Sequence, residues 1–557
     1  MSDSRRSVLI VGASAAGLRC ACRLARLRPG WQITVVEAGA VFSYAACGLP
    51  YVLSGDVEDL TALRQTTYGV VRDQRFFAEE KGVAVLTGWR ATRAKLAQGL
   101  LKIEGPEGER QLSWDELVLA TGARPRRLAK QPEHPRVRCF HGWQDLEPLK
   151  AGLAGGQIGR VVIVGAGPLG CELAEAFHSL WGAEVSMVEA GQAALPGVLD
   201  PELGGCVASH LEARGVRLLT GQPLGRLEAD DQGVRVGAGG EELSADLVLV
   251  AIGVEPEVEL ARRLGVRLGP TGAIAVDERL ATSVPHLWAA GDCVEVRDLS
   301  SGLPVYRPLG SLANRQGRVL ANILAGQADS FPPVAGAMAV KVFDLNVAAV
   351  GATETALRAR GVRVRSVWAT LDDRSPFWPQ NAELHLKLSY EPSSRRVLGV
   401  QAVGRGDAVK RVDVATQLIA QGATLAQFAR LEHAYAPPYA PAVDPLAVLA
   451  FAAQNQEDGV EAVSPTGALE AALDVRLPGE RQRRPAPAAE VQELALSVLR
   501  SGSPAAAGIH GPGIVICERG GRAAEAVRLL RESGRPARYL GGGLVWREAA
   551  LDGGRRR

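Results

Sequence analysis

A strand–glycine turn–helix–strand pattern occurs twice in this 557-residue chain and constrains its fold more than any other feature. In the first copy, the apolar run 7–11 precedes Gly12-Ala-Ser-Ala-Ala-Gly17, a helix over 18–27 and a strand that ends in Glu37. The glycines permit a tight turn and close helix packing, and the helix N-terminus can hold a pyrophosphate. Glu37 would accept a hydrogen bond from a ribose hydroxyl. The pattern predicts a dinucleotide-binding unit rather than an ordinary strand–helix turn.

The second copy follows the same order. The apolar run 160–164 leads to Gly165-Ala-Gly-Pro-Leu-Gly170, a helix over 171–181 and a strand that ends in Glu189. Two units in one chain predict two bound nucleotides. No arginine follows Glu189 to meet a 2′-phosphate, which favours NADH over NADPH.

Composition narrows the class of protein further. The chain is 47% hydrophobic and 22% charged, with a net charge of +2, which is typical of a soluble globular protein without a strong field for nucleic acid or membranes. We expect no signal peptide and no membrane-spanning run. Its eight cysteines lack the spacing of a disulfide framework, which favours a reducing compartment and predicts a cytoplasmic location.

A single cysteine follows the first unit, in Ser43-Tyr-Ala-Ala-Cys47-Gly-Leu-Pro50. The nearest other cysteines in sequence are Cys22 and Cys139, so an internal pair of neighbouring redox cysteines is absent. If Cys47 performs redox chemistry, its partner sulfur comes from a substrate. We expect a short helix to begin here and to lower the pKa of Cys47. The alternative is a buried structural cysteine.

Three further glycine segments complete the pattern. They are Leu117–Pro125, which contains Thr121 and Gly122; Asp246–Pro256, which contains Gly253; and Pro285–Asp292, which contains Gly291. With the two units, they make the chain resemble the pyridine nucleotide–disulfide oxidoreductase superfamily. The resemblance implies that FAD and NADH bind and that Asp292 holds the ribityl chain of the flavin.

The resemblance sharpens in the region from 331 to 455. Met338–Asp344 and Leu398–Gly404 are similar to the dimerisation domain of that superfamily, and Ala434-Tyr-Ala-Pro-Pro-Tyr439 is similar to the C-terminal signature of its single-cysteine branch. That branch includes coenzyme A disulfide reductases, NADH-dependent persulfide reductases, and NADH oxidases and peroxidases. The resemblance implies a homodimer in which Tyr435 reaches the active cysteine of the other subunit.

Within this branch, three positions bear on the substrate. Ala15 stands where oxidases and peroxidases carry a histidine, and without that proton donor peroxide chemistry is disfavoured. Arg26 falls where the reductases place an arginine for coenzyme A phosphates. Ala46 replaces the asparagine usual before the cysteine, and Phe377-Trp378 replaces a Tyr-Tyr pair. Both replacements weigh against coenzyme A as the specific substrate and leave thiol chemistry in place.

We expect the C-terminal residues 468–557 to form a small domain separate from the rest of the chain. Residues 454–467 are polar, with Gly, Pro and Ser, and predict a linker. Segments 473–480, 513–522 and 538–546 resemble a rhodanese domain, whereas its Gly-His-Ile-Pro-Gly-Ala segment is missing. Backbone N–H groups after Cys517, together with Arg522, would stabilise a persulfide on that cysteine.

These observations predict an α/β fold with two Rossmann-like dinucleotide-binding domains, an α+β dimerisation domain and a C-terminal rhodanese-like α/β domain. The expected bounds are 1–150 completed by 277–328 for the FAD domain, 151–276 for the NAD domain, 329–455 for the dimerisation domain and 468–557 for the tail. The expected activity is reduction of coenzyme A disulfide, persulfide or polysulfide by NADH through FAD and Cys47. The alternatives are an NADH oxidase or peroxidase, or a flavin-bound sulfur carrier or redox sensor with slow turnover.

The expected residues fall into three groups. The catalytic group is Cys47, Tyr435, Cys517 and Arg522. The substrate-binding group is Arg26, Ser43 and Ala46, with coenzyme A as a candidate third ligand beside FAD and NADH. The cofactor-binding group is Gly12, Ala15, Ala16, Gly17, Glu37, Ser43, Thr121, Gly122, Gly165, Gly167, Gly170, Glu189, Gly253, Gly291 and Asp292.

Overall fold

The computed structural model describes residues 6–469, 471–488, 490–502 and 513–551. The predicted chain start and part of the predicted unit 468–557 therefore lie outside the described residues. The described chain forms an α/β fold of four main sheets of five strands each, three of them fully parallel and one antiparallel.

The first nucleotide-binding domain is built on a five-stranded parallel sheet. In spatial order its strands are Leu287–Ala289, Glu116–Leu119, Ser7–Val11, Gln32–Glu37 and Ala84–Thr87. Continuous apolar runs such as Ser7–Val11 suit strands covered on both faces. The helix Ala15–Leu27 begins three residues before the predicted start at 18 and packs against Gly310–Leu324. A three-stranded antiparallel meander, Arg90–Lys95, Leu100–Gly105 and Gly108–Ser113, completes the domain.

The second nucleotide-binding domain repeats this plan. Its parallel strands are, in spatial order, Arg217–Leu219, Glu184–Val188, Arg160–Val164, Leu247–Val250 and Val137–Cys139. The helix Pro168–Ser179 again begins three residues before the predicted start. Because Val137–Cys139 pairs with Leu247–Val250, this sheet recruits a strand from before residue 151. Its meander is Leu224–Asp230, Gly233–Ala238 and Glu241–Ala245.

The dimerisation domain has an antiparallel sheet covered by helices. The strands are Met338–Val342, Leu345–Gly351, Val397–Gly404, Glu383–Tyr390 and Arg365–Asp372 in spatial order. The helices are Glu354–Ala359, Ala408–Ala420, Leu425–Ala429 and Pro445–Glu457. A buried ammonium joins this sheet to the second nucleotide-binding domain: Lys387 is 2% exposed, and its Nζ lies 3.1 Å from Asp200, 3.2 Å from Glu202 and 2.8 Å from Glu354.

The C-terminal unit is a fourth sheet, described from residue 462 to 551 with the gaps given above. Its parallel strands are Ala462–Val463, Arg538–Leu540, Ile514–Ile516, Ala471–Asp474 and Glu490–Glu493 in spatial order. Its helices are Pro478–Arg483, Leu496–Arg500, Gly521–Glu532 and Gly543–Leu551. The predicted linker over 454–467 is wrong in part, because a helix continues to Glu457 and Ala462–Val463 is an edge strand of this sheet.

The C-terminal unit is docked against the rest of the chain. Trp546 is fully buried, and its indole N–H donates to the Glu202 carbonyl at 3.3 Å. The Gly542 N–H donates to the Trp368 carbonyl at 3.1 Å, and the Thr370 hydroxyl donates to the Gly542 carbonyl at 2.8 Å. These contacts attach the unit to both the dimerisation sheet and the helix Pro201–Ala213.

The remaining elements connect these domains. A two-stranded ribbon of Ala123–Pro125 and Val254–Pro256 links the two nucleotide-binding domains. The other short elements are the helices Trp143–Ala154, Leu49–Leu53, Gln74–Lys81 and Glu259–Arg263, the 3-10 turns Ala46–Gly48, Leu60–Arg64 and Leu96–Gln98, and the strands Val296–Arg297 and Pro304–Val305. Within the described ranges, no helix combines the length and the apolar character that crossing a membrane requires.

Candidate functional site

Both glycine turns have a backbone that no other residue tolerates. Gly12 has a φ of +111°, and a Cβ there would lie 2.1 Å from the Ala120 carbonyl oxygen. Gly165 has a φ of +107°, and its Cβ would lie 2.5 Å from the Ala251 carbonyl oxygen. Gly17 packs so closely that a Cβ would lie 2.0 Å from the Gly12 carbonyl oxygen. The turns therefore bring each helix start directly over its sheet, where phosphates bind.

The helix that follows each turn keeps its first N–H groups available. Ser14, at the N-cap of Ala15–Leu27, makes no capping hydrogen bond with its side chain, and the first turn has no acid. Gly167, the third glycine-turn position at the N-cap of Pro168–Ser179, has no side chain to cap with, and that helix also starts without an acid. Unsatisfied N–H groups at a helix start suit a pyrophosphate. The predicted Ala15, Ala16 and Gly170 lie in these first turns.

The two predicted ribose acids have the same geometry. Glu37 accepts hydrogen bonds from the N–H groups of Ala13 and Gly39, each at 2.8 Å. Glu189 accepts from Ala166 at 2.7 Å and Gly191 at 2.6 Å. Each carboxylate oxygen has further lone pairs, so both acids are oriented and can still accept from a ribose. The sequence did not predict these hydrogen bonds from backbone N–H groups to Glu37 and Glu189.

Two cavities adjoin these turns. A cavity of about 310 Å³ is lined by Gly12, Glu37 and Thr121. A larger one of about 780 Å³ is lined by Gly165, Gly167, Glu189, Gly253 and Tyr306 among others. The Tyr306 hydroxyl is buried and makes no hydrogen bond within the described chain. An apolar cavity with an oriented acid and an unsatisfied hydroxyl fits a nucleotide.

The segment around Asp292 is the one that was predicted to hold the ribityl chain of a flavin. Gly291 has a φ of +89°, and its N–H donates to the Gln316 side-chain oxygen at 2.6 Å. Burial raises the pKa of Asp292 to about 6, as expected for a carboxyl that is removed from water. A hydroxyl donor would stabilise its charged form.

The remaining predicted cofactor residues are Ser43, Thr121, Gly122 and Gly253. Ser43 is buried with a φ of +55°, and its N–H donates to the Ala13 carbonyl at 3.2 Å. The Thr121 hydroxyl donates to the Glu257 carbonyl at 2.6 Å. Gly122 and Gly253 have φ values of +75° and +95°, which non-glycine residues rarely adopt.

Cys47 lies in the 3-10 turn Ala46–Gly48, directly before the helix Leu49–Leu53. The residue is exposed, and Gly310, the first residue of Gly310–Leu324, lies so close that a Cβ there would be 3.9 Å from its Sγ. The expected lowering of the Cys47 pKa is wrong. The surrounding protein withholds solvent, and Glu172 and Asp292 add negative charge, so the pKa is raised.

Of the predicted substrate residues, Ser43 is buried and the others are at the surface. Arg26 and Ala46 are exposed, and Tyr435 is 53% exposed and makes no hydrogen bond to Cys47 within the described chain. Phe377 is 74% exposed. The described chain on its own therefore does not bring Tyr435 into contact with the thiol.

Cys517 is 2% exposed and lies in a different setting. Its Sγ accepts hydrogen bonds from the N–H groups of Gly520 at 3.2 Å and Ala523 at 3.4 Å. Burial raises its pKa, although these N–H groups and the charge of Arg522 oppose that rise. Arg522 is bound by Glu480 at 2.8 and 2.5 Å, a partner that sequence analysis did not predict. All eight cysteines are described, and all are free thiols.

Comparison with known proteins shows which families this chain is similar to. Residues 6–315 match the pyridine nucleotide-disulphide oxidoreductase family, and residues 337–447 match its dimerisation domain. The NAD(P)H sulfur oxidoreductase (CoA-dependent) of Pyrococcus abyssi is 33% identical, over 80% of this chain and 98% of the relative.

Two solved structures extend over the C-terminal unit as well. The NAD-dependent persulfide reductase from A. fulgidus is 36% identical, with a TM-score of 0.92, and the match covers 98% of this chain and 100% of that one. Reduced Bacillus anthracis CoADR-RHD is 28% identical, with a TM-score of 0.90, and the match covers 99% of each chain. The chain belongs to the pyridine nucleotide-disulphide oxidoreductase family.

Proposed function

We propose that this protein reduces sulfur–sulfur bonds of persulfides, polysulfides or coenzyme A disulfide with NADH, through FAD and Cys47. Family membership implies FAD and NAD(P)H as electron carriers. The observation that carries the proposal is Cys47: a free, exposed thiol beside the start of Gly310–Leu324, with charged groups of both nucleotide-binding domains acting on it. Relatives named as sulfur oxidoreductase and persulfide reductase support it.

The chain's own residues hold and orient the two nucleotides. The N–H groups at the start of Ala15–Leu27 and Pro168–Ser179 bind the pyrophosphates, and Glu37 and Glu189 accept from ribose hydroxyls. Asp292 accepts from the ribityl chain. FAD, when bound, supplies the two-electron carrier between NADH and the sulfur.

Cys47 performs the sulfur chemistry. Its thiolate attacks one sulfur of the substrate, so that a new Sγ–S bond forms and the substrate S–S bond breaks, releasing a thiolate or hydrosulfide. Two electrons and a proton, delivered as the hydride equivalent of NADH, then break the Sγ–S bond, which restores the Cys47 thiolate and releases the second sulfur fragment as a thiol or hydrogen sulfide. One NADH and one proton are consumed for each S–S bond that is reduced. Ala15 provides no imidazole at the first glycine turn, which disfavours oxygen or peroxide as the acceptor.

A second copy of the chain completes the site in this proposal. Tyr435, Tyr439 and Phe451 are exposed aromatic side chains of the dimerisation domain. Aromatic side chains of this kind are enriched where proteins associate. A homodimer through residues 331–455 would cover them and bring Tyr435 to Cys47 of the partner, where its hydroxyl could protonate the leaving thiolate.

The C-terminal unit handles sulfane sulfur in this proposal. The two N–H groups that point at the Cys517 sulfur would also stabilise the charge of a persulfide there. Arg522 contributes its charge at a distance, since its guanidinium is bound to Glu480.

The nucleotide preference rests on Glu189. Its carboxylate is buried and fixed by two N–H groups, so a 2′-phosphate placed against it would be repelled. NADH should therefore reduce the flavin faster than NADPH, and equal rates in stopped-flow measurements would contradict this assignment.

The test of the proposed function is the Cys47→Ser variant of the full chain. NADH consumption and sulfide release are measured with polysulfide and with coenzyme A disulfide. The variant should lose turnover with both and keep flavin reduction by NADH. Cys139→Ser, a partly exposed cysteine elsewhere, is the matched control and should retain full activity. Unchanged turnover in Cys47→Ser would refute the proposal.

A further inference from the structure

The loop 517–522 carries three charged side chains, Glu518, Arg519 and Arg522. Two of them are paired within the C-terminal unit itself. Glu518 binds the buried Arg476 at 2.8 Å, and Arg522 has the ion pair described above. Arg519 instead reaches out of the unit to two carboxylates of the dimerisation sheet. Of the three side chains, Arg519 is therefore the one that ties the loop to another domain.

The two carboxylates that bind Arg519 lie opposite each other. Asp372 and Glu383 are direct cross-strand partners at one end of the antiparallel pair Arg365–Asp372 and Glu383–Tyr390. Like charges in this position repel each other and destabilise a sheet. The Arg519 guanidinium lies 2.9 Å from Asp372 and 3.3 Å from Glu383, and within the described ranges no other lysine or arginine is within ion-pair distance of either acid. Arg519 thus relieves a repulsion that the dimerisation sheet does not relieve by itself.

The backbone of the same residue belongs to the surroundings of the Cys517 sulfur. The N–H groups of Gly520 and Ala523 donate to Sγ at 3.2 and 3.4 Å, and the Arg519 N–H acts on the same sulfur. On the other side of the loop, the Leu544 N–H donates to the Cys517 carbonyl at 3.0 Å. Because Arg519 directly precedes Gly520, fixing its side chain also fixes the part of the loop from which these N–H groups point.

The ion pairs of Arg519 are stronger candidates for this task than an isolated pair at the surface, which holds little. One guanidinium binds two carboxylates, and the Asp372 side chain is only 17% exposed. The same strand also holds the neighbouring glycine turn, because the Thr370 hydroxyl donates to the Gly542 carbonyl at 2.8 Å. The loop and this turn are therefore attached to one strand of the dimerisation sheet at two points.

We infer that Arg519 is a positioning residue for Cys517, and that the sulfur site of the C-terminal unit is shared with the dimerisation domain through Asp372 and Glu383. The two carboxylates hold Arg519, Arg519 holds the loop, and the loop directs its N–H groups at the sulfur. The site is complete only when the unit is docked on the sheet. The inference rests on the proposed function only in taking Cys517 as the residue that carries sulfane sulfur.

The test measures how fast Cys517 is alkylated in the FAD-bound full chain at pH 8. The thiol is 2% exposed, so iodoacetamide reaches it when the loop opens. Arg519→Gln should increase the rate about fivefold, the order of effect that a partly exposed ion pair has. Arg519→Lys keeps the charge and should return the rate towards that of the wild type. Arg500→Gln, which removes an exposed pair with Glu525 in the same unit, should leave it unchanged.

A double-mutant cycle separates the interface from a general loss of stability. The variant Asp372→Asn/Glu383→Gln leaves the C-terminal unit intact and should increase the Cys517 alkylation rate by the same factor as Arg519→Gln. Combining the two should add nothing, because residues of one ion-pair network are not additive. An unchanged rate in both variants, or effects that multiply when they are combined, would overturn the inference. The acid variant keeps the test decisive if Arg519→Gln does not fold.

A second measurement follows the sulfane sulfur itself. The protein is treated with polysulfide, desalted and exposed to cyanide, which attacks the outer sulfur, so that thiocyanate forms and the Cys517 thiolate leaves. Peptide mass spectrometry follows the loss of the Cys517 persulfide, which should be about fivefold faster in Arg519→Gln than in the wild type. If the wild type acquires no persulfide at Cys517, the proposed role of the C-terminal unit fails, whereas the alkylation rates still show whether Arg519 positions the loop.

Discussion

The two cysteines of interest, Cys47 and Cys517, occupy opposite environments. Cys47 is exposed in a single 3-10 turn, and the carboxylates Glu172 and Asp292 act against its thiolate. Cys517 is 2% exposed, and the N–H groups of Gly520 and Ala523 point at its sulfur. The Cys47 thiol is therefore accessible, but nearby negative charge disfavours its thiolate. The Cys517 thiol is buried, and two N–H groups donate hydrogen bonds to it.

This contrast indicates how each site can use sulfur. At both sites the surrounding protein reduces the hydration of the thiol and so raises its pKa, although the Cys47 residue is itself exposed. At Cys47 the neighbouring charges add to that rise, and at Cys517 the donors oppose it. An accessible thiol with a high pKa is a good attacking group once ionised. A hidden sulfur among N–H groups is suited to storing a negative charge. The four predictions below test this contrast, starting with the largest expected effect.

The largest contrast is expected between Cys47→Ser and Cys517→Ser in one assay. With a small polysulfide, which reaches the exposed Cys47 directly, Cys47→Ser should lose on the order of 10³-fold or more in NADH turnover, as loss of a nucleophile does. Cys517→Ser should lose less than about twofold. With thiosulfate as the sulfur donor, both variants should lose activity. If Cys517→Ser matches the wild type with every donor, the C-terminal unit has no part in sulfur transfer.

The second prediction concerns the docking that fixes Cys517 in place. Trp546 is fully buried between the C-terminal unit and the helix Pro201–Ala213, and Trp546→Ala removes that contact. The loss should amount to about 3–5 kcal/mol at the interface. The variant should become sensitive to proteolysis near 454–467 while Cys47 turnover with polysulfide persists. Tyr68→Ala, an exposed aromatic residue, is the control. A proteolysis pattern like that of the wild type would contradict the docking.

The contrast also clarifies what could be predicted from sequence. The strands 7–11 and 160–164 were predicted with their observed bounds, because continuous apolar runs before a glycine turn have one common structure. The helix starts were predicted three residues late, at 18 and 171, because the last glycine-turn residues already belong to the first helical turn. The position of Cys47 after the first unit was evident, but its electrostatic environment was not.

The missed features come from contacts between distant segments. Glu172 and Asp292 are far from Cys47 in the chain, so no local pattern predicts that they raise its pKa. Ala462–Val463 is a short apolar pair inside the mostly polar segment 454–467, which predicted a linker, and it forms an edge strand by pairing with Arg538–Leu540. Tertiary contacts of this kind override local composition.

The third prediction compares how fast the two thiols are alkylated. Cys47 is exposed and Cys517 is buried, so Cys47 should react about tenfold faster or more at any pH from 7 to 9. Because both pKa values are raised, both rates should still increase above the usual cysteine pKa of about 8.5. Labelling with iodoacetamide and mass spectrometry measures this, and the chain in denaturant, where the two rates converge, is the control. Faster labelling of Cys517 would reverse the comparison.

The smallest expected effect concerns Glu480, which binds Arg522 beside Cys517. Arg522 lowers the pKa of Cys517, and Glu480 offsets part of the charge of Arg522. Glu480→Gln should therefore lower the midpoint of Cys517 alkylation by a few tenths of a pH unit.

The same variant should also change how stability depends on pH, because the hydrogen bonds from Arg522 hold the pKa of Glu480 at about 2. A depressed carboxyl pKa stabilises the fold above its unfolded value of about 4.3, and this contribution is lost as the pH falls towards 2. The wild type should therefore lose more stability than Glu480→Gln in thermal unfolding between pH 4 and pH 2. Glu525→Gln, which removes an exposed pair with Arg500, should shift neither quantity. A higher Cys517 midpoint in Glu480→Gln would show that the carboxylate acts on the sulfur through the loop geometry rather than through the charge of Arg522.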